Sequence, residues 1–350
     1  MAANTSQYVY DLISWAKTRA PNFETAYIAQ LLAQSNEIMY DMTYIEGNLP
    51  TGHLVAQQTG LPTTYIRQVN QPVQVSRDQV ANIEEDLSIF ETWMEVDHFI
   101  RDLQGDSARW LFERTRSHME SMIQKFVGTM IYGDPSTTDG AFLGLAPRYS
   151  TINSANAANA QNCLSGGGTG AVNTSIWLLT FGPHALTMFY PKGSAAGIRH
   201  RSFAEQVLYG TAGVGGTRMV VQQDQWTLTA GMALTDWRWC VRGCNIDSAA
   251  LKSQVGACDL VELMIDMMER IPSQADPPLE TGNPYTDFAV PGKRIWVMNR
   301  PTRAALRKQA LAKSANTITY EMIAGRKVMH FMDIPVRNSD QILNTEGTLT

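Results

Sequence analysis

Between Gly47 and about Val80 the chain carries Pro50, Pro62 and Pro72 among Thr, Gln and Val, with no helical spacing of its apolar residues. Proline fixes φ and removes a backbone donor, so prolines placed this way bar a helix through the segment. What remains is long, extended β structure. A helix-free stretch of this length is uncommon inside a compact domain, so it projects from one or serves function directly. Any fold for the chain has to accommodate it.

On the amino side, residues 1 to 45 are rich in Met, Tyr and Gln and hold short helical patterns at Tyr8 to Thr18 and Glu24 to Gln34, without a sustained apolar period. Such a segment reads as an arm that needs neighbours to bury its apolar groups. On the carboxyl side the chain turns helical from Val96. The spacing predicts one long helix over 107–132, because Met119, Met122, Ile123, Phe126, Val127, Met130 and Ile131 fall on one face. Gly105-Asp106-Ser107 marks its start and Gly133-Asp134-Pro135 its stop.

From Ala141 to Asn245 the pattern is that of strands: Ile176 to Phe181, Leu186 to Tyr190, Met219 to Gln223, Trp226 to Ala230, and Leu234 to Val241. In the last of these Trp237, Trp239 and Val241 alternate with Arg238, Cys240 and Arg242, the period of a half-buried strand. The final hundred residues alternate again, with a helix from Asp259 to Arg270 ended by Pro272, a strand Ile295 to Met298, a helix opening at Pro301, and a strand-like run Val328 to Val336. That succession implies a compact second domain. A chain of 350 residues is long enough for two domains at about 150 residues each.

Composition narrows the function. A net charge of −5 with 17% charged residues argues against a protein whose main task is gripping phosphate backbones. No run approaches the ~18 consecutive apolar residues of a membrane-spanning helix. Four cysteines (Cys163, Cys240, Cys244, Cys258) in a chain of this length are not a disulfide scaffold, and with no secretory pattern at the N-terminus the expected compartment is the reducing cytoplasm.

The motifs that could carry chemistry each fall short of it. Ser165 to Gly170 is glycine-rich but lacks the Gly-Lys-Ser/Thr ending of a phosphate loop, and Gly213 to Gly216 misses the dinucleotide spacing. Glu95 and His98 have the spacing of half a di-iron site, with no second half. Cys240 and Cys244 have no second pair at zinc spacing and read as buried thiols. The histidines (His53, His98, His118, His184, His200, His330) are scattered singly, outside any nucleophile motif. One cationic run (Lys293, Arg294, Arg300, Arg303, Arg307, Lys308, Lys313) could meet nucleic acid, or could pair with carboxylates of a neighbouring subunit. No catalytic, cofactor-binding or metal residue is therefore assigned. A metal-dependent or hydrolytic enzyme stays as the alternative reading, resting on Glu95 and His98.

Four stretches, taken in order, carry a resemblance. They are Val96-Asp97-His98-Phe99-Ile100-Arg101-Asp102-Leu103, Gly140 to Tyr149, Ser175 to Leu179 through Tyr190-Pro191-Lys192-Gly193, and Arg294 to Thr302 running on to Ile334-Pro335-Val336-Arg337. With arm, extended segment, long helix, strand-rich part and compact α/β part in that order, the sequence resembles the major capsid proteins of tailed bacteriophages, of the Hong-Kong-97-type fold. The middle two stretches look most like coat proteins of the epsilon-fifteen group of short-tailed phages.

The resemblance implies an α+β fold with an N-terminal arm (1–45), an extended β-hairpin loop (46–95), a peripheral domain (96–247) containing the spine helix 107–132, and an axial domain (248–350). Because the strands Trp177 to Tyr190 and Trp226 to Val241 precede the axial segment, it also implies a permuted connectivity. The implied function is that of a virion shell subunit, assembled in the host cytoplasm into hexamers and pentamers that enclose double-stranded DNA without specific binding. The implied partners are further copies of itself, with a scaffold, a portal and a decoration protein. Some shells of this type are locked by a Lys–Asn isopeptide bond from the extended loop. With no Lys from Thr18 through Gln124, this loop cannot form one.

Overall fold

A computed structural model describes residues 36–102, 107–183, 185–209, 218–253, 256–272, 292–313, 318–323 and 326–350. The helices expected at 8–18 and 24–34, the glycine run 213–216 and His184 lie outside the described residues. The described elements are β1 (Tyr44–Glu46), β2 (Gly52–Gly60), β3 (Gln79–Asp97), α1 (His98–Asp102), α2 (Ser107–Tyr132), α3 (Leu145–Arg148), β4 (Cys163–Ser165), β5 (Asn173–Phe181), β6 (Leu186–Tyr190), β7 (Ile198–Tyr209) and β8 (Arg218–Leu234). They continue with β9 (Cys240–Asp247), α4 (Ser248–Ser253), α5 (Leu260–Arg270), β10 (Lys293–Met298), α6 (Arg300–Ala312), β11 (Ile318–Ile323), β12 (Arg326–Phe331) and β13 (Ile334–Asn338). No described helix is long and apolar enough to cross a membrane.

The chain divides into two compact units. One contains Ile89–Phe126 and Gly197–Thr229, and the other contains 36–88, Val127–Ala196 and Ala230–Thr350. In the larger unit β5 is buried along its whole length. It pairs antiparallel with β10, Leu178 opposite Trp296, and with β9, Trp177 opposite Arg242. β13 runs parallel to β10, with Val336 opposite Trp296. Alternation along these strands sends Ile176, Leu178, Val241, Trp296, Met298 and Val336 to one face, where Leu263, Met264 and Met267 of α5 and Leu306 of α6 cover them.

Local signals start both covering helices. Asp259 caps α5 by accepting from the Val261 and Glu262 amides at 3.1 and 3.3 Å. Asn299 caps α6 through the Thr302 amide, with Pro301 in the first turn where no intrahelical donor is needed.

In the smaller unit β7 and β8 form an antiparallel ladder from Ile198 opposite Leu228 to Tyr209 opposite Arg218. Phe90 of β3 meets Phe126 of α2 edge-on at 5.6 Å. Helix α2 covers the expected 107–132, and Met122 and Phe126 of its apolar stripe are buried.

Some expectations need correcting. Across the expected boundary at 247/248, β5 and β9 share a sheet and a core with β10, β13, α5 and α6. Met219 to Gln223 and Trp226 to Ala230 are one strand, β8. Trp237–Trp239 is a 3₁₀ turn, since the Asp236 side chain accepts from the Arg238 amide and bends the chain before β9 starts at Cys240. The run 328–336 is folded on itself, β12 and β13 being joined by Met332 and Asp333 at φ 46° and 64°. Two consecutive positive-φ residues are the geometry of a tight hairpin turn.

Candidate functional site

The helix-free segment is a hairpin. Strands β2 and β3 pair antiparallel from Gly52 opposite Asp86 to Gly60 opposite Gln79, with an irregularity near the outer end. Beyond them residues 61–78 continue as two extended lanes closed by a turn, where the Gln71 amide donates to Gln68 O at 3.3 Å and Asn70 takes φ 66°. Asparagine tolerates that left-handed conformation better than most residues. One side-chain tie crosses the lanes, Ser76 Oγ donating to Thr63 O at 2.8 Å.

Leu61, Ile66, Val69 and Val75 on this tip are almost wholly exposed, and Tyr65 and Val73 are more than a third exposed. Apolar side chains gathered on a projecting strand pair mark a surface that is covered in use. The tip is the candidate functional site, and what it can do is bind.

The base of the hairpin is held by charge. Arg148 makes a bidentate pair with Glu85 of β3, Nη1 to Oε1 at 2.7 Å and Nη2 to Oε2 at 2.5 Å, with both side chains largely buried. Fork-on-fork geometry fixes direction as well as distance. Next to it the Phe142 amide donates to Ser88 Oγ at 2.7 Å, and Gly144 crosses the end of α2 so closely that a Cβ there would stand 2.7 Å from Gly133 N and 2.8 Å from Thr129 O. The stretch Gly140 to Tyr149, one of the four that carried the resemblance, is thus the seat of the hairpin.

Two further ionic clusters tie distant segments to the same unit. Asp41, with its side chain 1% exposed, accepts from both Lys293 of β10 and Arg337 of β13, while Glu37 Oε2 accepts from the Asn338 amide at 2.9 Å. Residues 36–41 are thereby clasped to the sheet just before β1 pairs with β6. At the other end of the chain the buried Glu346 carboxylate receives Arg242 Nη2 at 2.9 Å, Tyr132 Oη at 2.5 Å and the Ser175 hydroxyl. Burial first, and the Glu346 carboxylate after it, push the Tyr132 phenol far above its usual range.

Among the described residues, no motif candidate assembles a reactive centre. In 165–170 the Gly166 and Gly168 amides donate to Cys244 O and Asn245 O at 2.7 and 2.6 Å, so they face β9 and not a phosphate. Glu95 sits in β3 and accepts from Gln223, while His98 opens α1 and faces Glu205 at 3.3 Å; the two do not share a helix face. Cys240 and Cys244 lie in β9, and burial pushes them up to about 12 and about 11; it likewise lifts Cys163 to about 12. His53 packs on Phe189, and His330 lies 3.6 Å from Glu321. His118 and His200 both stack on Trp226, a grouping that spacing in the sequence gave no sign of. Among the described residues no group of three or more His, Cys, Asp or Glu side chains could hold a metal ion.

Six of the seven members of the cationic run have partners within the chain. Lys293 pairs with Asp41, Arg300 with Asp340, Arg303 with Glu37 at 3.8 Å and Lys313 with Asp259, while Arg294 and Arg307 lie over the rings of Trp239 and Tyr320. These carboxylate partners belong to the same chain.

A family model described as Major capsid protein GP7 matches residues 20–350. Among solved structures the chain is similar to one from bacteriophage Epsilon15 determined by cryo-EM, at 24% identity and TM-score 0.76 with all of both chains covered. A chain from Gordonia phage Cozz is 13% identical at TM-score 0.42, covering 67% of this chain and 94% of its own. The SrpI encapsulin of Synechococcus elongatus PCC 7942 is 11% identical at TM-score 0.45, with 67% and 95% covered. No curated protein matches the chain significantly.

Proposed function

The chain belongs to the GP7 family of major capsid proteins, and on that premise we propose that it assembles into hexamers and pentamers that close an icosahedral phage head around double-stranded DNA. Its α+β fold is the Hong-Kong-97-type capsid fold, and its role as a shell subunit places it in the virion.

The observation that carries the assembly reading is the β2–β3 hairpin with its exposed apolar tip. A lone subunit would leave Leu61, Ile66, Val69 and Val75 in water, whereas a neighbouring copy can cover them, and apolar area removed from water stabilises at about 25 cal/mol per Å². In this reading the hairpin is the arm by which one copy grips the next. The family's usual parts are assigned as follows: β2–β3 with 61–78 is the extended loop, α2 the spine of the peripheral part, and the β5–β9–β10–β13 sheet with α5 and α6 the axial part. The protein's role is structural, not catalytic.

The DNA inside is held without being gripped. A net charge of −5 and a cationic run in which Lys293, Arg300, Arg303 and Lys313 pair with carboxylates of the same chain leave little to trap phosphates, which would oppose packaging and release. A scaffold, a portal and a decoration protein complete the proposed set of partners, with assembly in the host cytoplasm.

The test is to produce the full chain alone and together with its companion phage proteins and to image the product. Closed shells are expected. A discrete monomer or dimer in every condition overturns the reading.

A further inference from the structure

In the smaller unit two histidines meet one tryptophan. Trp226 of β8 is only 3% exposed. Its ring lies 5.0 Å from that of His200, its direct cross-strand partner on β7, at an interplanar angle of 11°. It also lies 5.4 Å from the ring of His118 on α2, at 20°. His118 Nδ1 is in turn 2.8 Å from the Thr92 hydroxyl on β3. One indole thus joins the long helix, the β7–β8 ladder and β3.

The charges around the stack are unevenly shared. On β8 the largely buried Asp224 carboxylate stands 3.1 Å from His200 Nε2 and accepts from Gln222 Nε2 at 3.3 Å, and Gln222 Oε1 accepts from Arg101 of α1 at 3.1 Å. His118 faces the Thr92 hydroxyl, the indole, and on its own helix the Arg114 guanidinium one turn back.

We propose that the His118–Trp226–His200 stack is a proton-operated joint: with His118 neutral it pins α2 to the sheet beneath it, and protonation of His118 loosens the helix while His200 stays paired with Asp224. A cation formed at His118 would be partly desolvated, next to Arg114, and with no carboxylate beside it among the described residues. Burial first, and Arg114 after it, hold His118 below its ordinary value of 6.5.

The sign follows from linkage. A base whose pKa is depressed in the closed form binds fewer protons there than in the open form, so closing is at full strength above about 6.5 and weakens as pH falls through that value. With an ordinary pKa in the open form, opening rises between pH 7.5 and pH 5.5, by about tenfold at most.

The experiment is hydrogen exchange on the full chain at the two pH values, corrected for the intrinsic pH dependence of amide exchange. Protection over residues 111–126 is expected to fall relative to β5, β9 and β10, by about tenfold at most. His118→Gln, which keeps a hydrogen-bonding group toward Thr92 but cannot take the proton, removes that differential loss, while His200→Gln retains it. If the differential loss is absent in the unsubstituted protein, or persists undiminished in a folded His118→Gln variant, the proposal is overturned. Should His118→Gln not fold, the unsubstituted protein alone still decides it. The joint does not depend on the shell reading, because exchange in the unassembled chain reports on it equally well.

Discussion

Arg242 and Glu346, 104 residues apart in sequence, form an ion pair at 2.9 Å with at most 7% of either side chain exposed. Arg242 also donates to the Tyr149 carbonyl at 2.8 Å and lies over the Trp177 ring at 5.1 Å, and Glu346 takes the Tyr132 and Ser175 hydroxyls. The carboxylate is the hub through which residues near the C-terminus are tied to β5, β9 and the end of α2. Glu346→Ala leaves the guanidinium buried without its counter-ion and is expected to cost roughly 3–5 kcal/mol in urea unfolding. Arg242→Met combined with Glu346→Leu should lose less than either substitution alone, because no unpaired charge is left behind.

Glu85→Ala tests the hairpin seat. It leaves Arg148 with the Leu143 carbonyl as its remaining partner, so a loss of about 3 kcal/mol is expected. Limited proteolysis should show cleavage rising at 52–60 and 79–86 before any rise in β5. Equal acceleration everywhere would mean that the pair holds the whole unit and not the hairpin in particular.

Ile66→Asp with Val69→Asp changes only the tip. Both side chains are exposed in the subunit, so its unfolding midpoint should stay within about 0.5 kcal/mol of the unsubstituted value. Shell yield, followed by sedimentation and electron microscopy, should drop more than tenfold. Undiminished yield would show that these residues are not covered by a neighbour.

The two glycines Gly144 and Gly170 should respond with opposite sign. Gly144→Ala drives a methyl into Gly133 N and Thr129 O and should destabilise by about 2 kcal/mol or more, as other forced close approaches do. Gly170 has nothing nearer than Val172 N at 3.9 Å, so Gly170→Ala should be neutral or slightly stabilising through the unfolded chain.

Thiol reactivity offers a test of burial. Cys163 and Cys240 are raised to about 12, and Cys244 and Cys258 to about 11, each chiefly by burial. At pH 8 the native chain should react slowly with an aromatic disulfide reagent, and first at Cys258, the one cysteine that is partly exposed. All four should react after denaturation.

Local signals account for what the sequence disclosed. The stripe ending at Ile131 with Gly133-Asp134-Pro135 behind it defined the long helix, the prolines marked the extended segment that the resemblance made a hairpin, and Asp259 and Asn299 stand where helix caps belong. Misreadings arose where a short-range pattern had two meanings. Trp237 to Val241 alternates like a strand, yet Asp236 three residues before Trp239 turns it into a helical cap. Met332-Asp333 carries no glycine to announce a hairpin turn, so β12 and β13 read as one strand. The unit boundary was hidden because β5 pairs with β10, a strand more than a hundred residues later. The ionic hubs at Asp41 and Glu346, and the histidines on Trp226, are likewise long-range products of the fold, beyond the reach of any spacing rule.

The clasp at Asp41 has a mechanical meaning. A carboxylate with 1% of its surface exposed, gripped from two strands at once, works as a strain relief does on a cable. A tug on the chain ahead of Asn36 is delivered into β10 and β13, which lie side by side in the sheet, and Glu37 shares the load through the Asn338 amide. The hairpin that begins a few residues later is shielded from it.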